Sequence, residues 1–84
     1  MIELKVLGCE TCMEVFCRLC ERSGPAPNTT RLADELDMPL YTVSKNLKKL
    51  VNIKLVRARE VGRVKLWYVT ERGEKIYNLV KEIR

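Results

Sequence analysis

Four cysteines fall within the twelve residues CETCMEVFCRLC at positions 9–20, and the chain has no others. Thiolates ligate soft metals, attack disulfides and form crosslinks, so the spacing must separate a metal cage from a redox device, a staple and the plain side of a helix. A zinc cage holds four thiolates about 2.3 Å from one ion. Were this stretch helical, Cys9 and Cys20 would stand about 16 Å apart along the axis. The four residues between Cys12 and Cys17 are also far fewer than the loop between paired Cys-x2-Cys zinc motifs. Cys12, Cys17 and Cys20 reproduce a plant-type ferredoxin spacing, but a downstream fourth cysteine is missing and the intervening MEVF reads as helix. No metal and no other cofactor is therefore expected. On a helix, Cys9, Cys12, Met13, Phe16, Cys17 and Cys20 share one face, and cysteine packs as a small hydrophobe. Core packing is one reading. The other is a disulfide or redox role, within Cys9-x-x-Cys12 or Cys17-x-x-Cys20 or between subunits. Cytosolic disulfides are concentrated in hyperthermophiles, and a chain with no Gln or His but abundant Glu, Lys and Arg is compatible with a thermophilic archaeal source.

The second chemically loaded group is cationic. The net charge of +5 is unevenly spread: residues 1–37 carry seven acids against four bases, whereas residues 38–69 carry eight bases against Glu60 alone. Those eight are Lys45, Lys48, Lys49, Lys54, Arg57, Arg59, Arg63 and Lys65. A positive field concentrated in one third of a chain favours a polyanion, with nucleic acid first and an acidic membrane surface second. The absence of histidine removes the commonest general base, and no nucleophile–base pair or phosphate-cradling glycine loop is visible. An enzyme is not expected.

These residues need elements to position them. Eighty-four residues suit one small domain. IELKV at residues 2–6 alternates like a short strand or arm. Thr11-Cys12-Met13-Glu14 matches a capping box, placing a first helix from there to Arg22. SGPAPN ends it, Asn28 caps a second helix over TTRLADELD, and Pro39 opens a third over LYTVSKNLKKLV. In the third helix Val43, Leu47, Leu50 and Val51 form the apolar side, with hydroxyl and cationic residues on the others. LVRAREVGRVKLWYV reads as a hairpin turning at Gly62 in type II′ geometry. That register pairs Glu60 with Lys65 and sets Val56, Ala58, Trp67 and Val69 on the face opposite Arg57 and Arg59. Trp67 is expected in the core, as is Tyr68 less strongly. Thr70 caps a last helix whose Ile76, Leu79, Val80 and Ile83 make a stripe too large for a minimal domain to cover, which predicts a homodimer interface.

The order helix, helix, basic helix, basic hairpin, helix is that of a winged helix-turn-helix, mainly α with a small antiparallel β-hairpin (α+β). RLADELDMPLYTVSKNLKKLVNIKLV and the later YVTERGEKI resemble the winged regulators of the MarR and ArsR types over roughly residues 12–84. LA with an acidic residue, TVS followed by spaced leucines, LV into the wing and YVT-x-x-G out of it carry the resemblance. It implies a single domain over 1–84, with the helix-turn-helix at about 28–51, the wing at about 55–69 and a dimerisation helix at about 71–84. It also implies sequence-specific binding of double-stranded DNA by a homodimeric transcriptional regulator. An α-helix fits the major groove, so Tyr41, Thr42, Ser44 and Lys45 are the base-reading candidates. Lys48, Lys49, Arg57, Arg59, Arg63 and Lys65 are the backbone candidates. The ArsR metal ligands do not carry over, because residues 40–51 contain no cysteine. Two other readings stay open: a redox- or metal-responsive regulator switched through the four cysteines, and a winged domain used for protein contacts. No basic leader precedes an apolar stretch and nowhere do about eighteen apolar residues run together, so a cytoplasmic protein without membrane contact is expected.

Overall fold

The computed structural model describes residues 9–83; the strand or arm expected at residues 2–6 lies outside them. Within that range the order is α1 (Glu10–Glu21), α2 (Thr29–Leu36), α3 (Leu40–Asn52), β1 (Val56–Val61), β2 (Val64–Val69) and α4 (Glu71–Ile83). This is the winged helix-turn-helix: three helices, a two-stranded antiparallel wing and a closing helix. No helix among the described residues is long and apolar enough to cross a membrane.

Helix α1 begins earlier than a cap at Thr11 would allow. Cys9 is the N-cap, and its Sγ accepts the Cys12 amide at 3.3 Å, the service a threonine hydroxyl was expected to give two residues later. The buried side of α1 is also broader than the cysteine stripe, since Val15 and Leu19 join Cys12, Phe16 and Cys17 inside, while Cys9, Met13 and Cys20 are half-buried. Asn28 caps α2 as expected, its side chain accepting the Arg31 amide at 2.7 Å.

Helices α2 and α3 end alike. After α2, the Met38 amide reaches the Ala33 carbonyl and the Asp37 amide that of Asp34. After α3, Leu55 reaches Leu50 and Lys54 reaches Val51. Both are Schellman caps, and each sets a non-glycine residue in the left-handed region, Asp37 at φ 54° and Lys54 at φ 64°. The second cap folds Leu55 back on Leu50, and both are fully buried.

The core joins α1, α2 and α3 through Phe16, Leu32, Val43, Leu47 and Leu50, with Leu55, Val56 and Trp67 added from the wing's root. Val51 is not part of it. It is 38% exposed, because the apolar side of α3 continues through Asn46 rather than Val51. The hairpin register is the expected one, Val56 opposite Val69 through Glu60 opposite Lys65 to Val61 opposite Val64. In its turn only Gly62 has positive φ, as a type II′ turn requires. Ala58 shares a face with Trp67 but projects beyond the core and is exposed. Trp67 is buried, its Nε1 donating to Thr29 Oγ1 at 2.9 Å and its amide to the Pro27 carbonyl at 2.9 Å, so β2 is tied to the start of α2.

The motif YVT-x-x-G gains a physical meaning here. Thr70 Oγ1 accepts the Gly73 amide at 2.9 Å and donates to the Lys54 carbonyl at 2.7 Å, while the Thr70 amide donates to that of Leu55. A Cβ on Gly73 would run into the Leu55 carbonyl oxygen and crowd Val69. One cap and one close approach therefore fix α4 to the junction of α3 and β1. Of the apolar stripe of α4 expected at a dimer interface, Val80 is buried within the chain and Ile76 is half-buried against the core, so the fold covers part of it. Leu79 (62%) and Ile83 (83%) are the exposed members.

Candidate nucleic-acid interface

Helix α3 buries Val43, Asn46, Leu47 and Leu50. That choice of inner face leaves Tyr41, Lys45, Lys48 and Asn52, at spacings of four, three and four, as one solvent-facing row, flanked by Lys49. Tyr41 is 75% exposed. Thr42 and Ser44 are only half-buried, so the base-reading candidates divide into two prominent side chains and two recessed ones.

Two open grooves border this row. One, of about 160 Å³, lies where the start of α1 meets α3 and is lined by Cys9, Thr11, Tyr41, Lys45, Asn46 and Lys49, with Thr42 at its wall. The other, of about 520 Å³, lies between the end of α3 and the wing, where Lys48, Asn52, Arg57 and Lys65 surround an apolar floor that includes Trp67 and Val51. The fold thus brings Lys48, Arg57 and Lys65 around one groove and Lys45 and Lys49 around its neighbour. Arg59 and Arg63 are exposed on β1 and at the wing's tip, outside both. Arg57 lies over the Tyr68 ring, 5.0 Å from its centroid, which holds the guanidinium along the strand; Tyr68 is half-buried rather than core. Lys65 stands opposite Glu60, the one acid of this basic segment.

Asn52 and Asn46 carry no weight in a reading by charge. Asn46 is 4% exposed, donates Nδ2 to the Thr42 carbonyl at 2.8 Å, and accepts at Oδ1 from Cys12 Sγ at 2.7 Å, with Cys9 Sγ at 4.0 Å. A signal for it existed: residue 46 lies three after Val43 and four before Leu50, so it is a polar residue on the apolar side. None of the four cysteines is in a disulfide, and no cluster of three or more potential metal ligands occurs among the described residues. The Cys12 thiol is pushed up to about 11, first by burial and then by its bond to Cys9; Cys9 is held below the usual thiol range, chiefly by that Cys12 hydrogen bond. Burial pushes Cys20 up to about 12.

Away from the grooves, Glu35 gathers Arg18, Arg22 and Arg31, at 3.0, 2.9 and 3.7 Å, locking α2 to the end of α1. Its carboxyl is lowered to about 2, first by the bond from Arg22.

Fold and surface together define a winged helix-turn-helix protein with cations on the outer face of α3 and on the wing. A profile described as helix-turn-helix domain matches residues 7–59, and the chain belongs to that family. No curated protein matches it. Among solved structures it is similar to a homodimeric winged helix-turn-helix DNA-binding domain from Mycobacterium bovis, described as a possible ArsR-family regulator (TM-score 0.79, 24% identity, covering 94% of this chain and 71% of that one). It is also similar to a MarR protein from Peptoclostridium difficile (0.80, 23%, 94% and 51%). A third is a possible HxlR-family factor from Thermoplasma volcanium (0.81, 22%, 99% and 79%). The chain spans about half of the MarR structure's length, and the shared feature at these identities is the fold.

Proposed function

We propose that this protein is a transcriptional regulator that binds double-stranded DNA sequence-specifically as a homodimer. The observation that carries the reading is the row Tyr41, Lys45, Lys48 and Asn52 along the solvent face of α3, with wing cations beside it. A helix lies in a major groove about 12 Å wide, so Tyr41 and Lys45, with Thr42 and Ser44 behind them, read base edges. Lys48, Lys49, Arg57, Arg59, Arg63 and Lys65 hold phosphates on either side. The role is binding and control of binding, not catalysis.

Dimerisation is supported by exposed Leu79 and Ile83 on α4 and by the homodimeric state given for the M. bovis domain. Two copies place equivalent helices about 34 Å apart, so the operator is a pseudo-palindrome. The test is selection from genomic fragments followed by a salt titration of the selected duplex. With about six phosphate contacts from each protomer the dimer neutralises about twelve, which gives a slope of log K against log salt of about −11. Enrichment of no common sequence, or a slope near zero, refutes the reading.

A further inference from the structure

The α1–α3 contact holds a pair of thiols for which DNA binding has no use. Cys9 caps α1 and Cys12 follows three residues later, on the same side of the first turn. Residues so spaced on a helix stand about 5–6 Å apart, within the range a disulfide bridges. Both sulfurs converge on one atom of the recognition helix, Asn46 Oδ1, at 2.7 Å from Cys12 and 4.0 Å from Cys9. They differ in access: Cys9 is half-buried and lines the groove beside Lys45 and Lys49, whereas Cys12 is 0% exposed.

We propose that Cys9 and Cys12 form a thiol–disulfide switch that reacts with small-molecule disulfides and, when oxidised, releases the recognition helix from its DNA-binding placement. The control of binding rests on the function proposed above; the thiol chemistry does not.

Cys9 is the attacking sulfur. It faces the groove, the Cys12 amide donates to it, and its ionisation is favoured as described. Its thiolate attacks one sulfur of a disulfide RSSR, forming the mixed disulfide Cys9–S–S–R and expelling RS⁻, which takes up the proton that Cys9 lost. The Cys12 sulfur, losing its proton, then attacks the Cys9 sulfur; the Cys9–Cys12 bond forms and a second RS⁻ leaves as RSH. The two thiols are oxidised by two electrons and RSSR is reduced to two RSH. Cys12 is shielded by burial and serves as the resolving partner. Cys17 lies inside α1 and Cys20 in its last turn, so neither stands at the helix N-terminus, where amides stabilise a thiolate.

The consequence for α3 comes through Asn46. A disulfide has no S–H to donate, so oxidation strips Oδ1 of its donor while the side chain is 4% exposed. A buried acceptor without a donor is costly, and the local structure moves to satisfy it. Asn46 is also bonded to the Thr42 carbonyl, so the turn that shifts is the one bearing Thr42 and Lys45. Coupling of this kind weakens affinity about five- to hundredfold.

The test treats the protein with oxidised glutathione and maps its cysteines by alkylation and peptide mass. Cys9 and Cys12 should be linked, with Cys17 and Cys20 alkylated; a Cys17–Cys20 bridge, or four alkylated thiols, overturns the switch. Cys12→Ser should stop at a glutathione adduct on Cys9. Affinity for the selected duplex, read by fluorescence anisotropy, should fall about five- to hundredfold on oxidation and recover with dithiothreitol, and Cys9→Ser should be insensitive to the oxidant. Asn46→Leu, with no acceptor to strand, should still form the disulfide but show equal affinity in both states; an undiminished oxidative loss in this variant overturns the route through Asn46. If the reduced protein holds no duplex, the DNA reading fails, and the switch stands or falls on amide hydrogen exchange at residues 42–46. Faster exchange on oxidation supports it and unchanged exchange overturns it.

Discussion

At the scale of single residues, division of labour between reading and holding is the sharpest consequence. Lys45 sits in the solvent row of α3, while Arg63 stands at the wing's tip. Lys45→Ala should cost about 1–3 kcal/mol on the preferred duplex and flatten discrimination at one position. Arg63→Ala should weaken all duplexes alike and reduce the salt slope of the dimer by about 2, one for each protomer. Anisotropy titrations against specific and random DNA separate the two. Glu35 makes a stability statement. Its folded value of about 2 lies below the ordinary 4.5, so its contribution is fully present above pH 4.5 and is lost as pH falls through 2. Glu35→Gln should cost about 2 kcal/mol at neutral pH, allowing for the exposure of Arg18 and Arg31. The urea-unfolding curves of variant and parent should converge on acidification. Charge was legible in the sequence at this scale, since all eight basic residues of 38–69 could be named from it. Asn46 was not, because its importance lies in two contacts, to Cys12 and to Thr42, that only the packing of α1 on α3 creates.

At the scale of elements, hydrophobic periodicity and turn chemistry fixed most of what is seen. Asn28, Pro39, Gly62 and Thr70 each mark a boundary for a local reason, and each boundary falls where the structure has it. Thr11 lost the cap to Cys9, whose sulfur accepts an amide that sequence rules assign to oxygen. Val51 lost its place inside because Asn46 took it, an exchange of polar for apolar that periodicity counts the wrong way. Gly73 was legible only as a motif letter, yet it has a steric reason. Any side chain there displaces α4 from the Leu55 carbonyl. Gly73→Ala, in a helix where alanine is otherwise favoured by about 1 kcal/mol, should instead destabilise by about 2–3 kcal/mol. Thermal unfolding decides it, and a raised midpoint would mean that α4 is not pinned as described.

At the scale of the whole molecule, what remains is the outer side of α4. The fold covers Val80 and packs Ile76 and Tyr77 against the core, with the Tyr77 hydroxyl donating to Glu21 at 2.7 Å and its ring edge-on to Phe16. Leu79 and Ile83, four residues apart on one helical face, are left 62% and 83% exposed. Two such helices packed across a two-fold axis would bury each other's leucine and isoleucine and set the distance between recognition helices. The double variant Leu79→Glu with Ile83→Glu should keep its fold, because neither side chain belongs to the core, and sediment as a monomer. Its affinity for a single half-site should be unchanged, while affinity for the full pseudo-palindrome should fall about 10²–10⁴-fold as the second half-site contact ceases to be intramolecular. Sedimentation and binding must move together: a variant that becomes monomeric yet keeps full affinity for the pseudo-palindrome would separate dimerisation from DNA recognition, and one that stays dimeric would place the subunit contact elsewhere on the molecule.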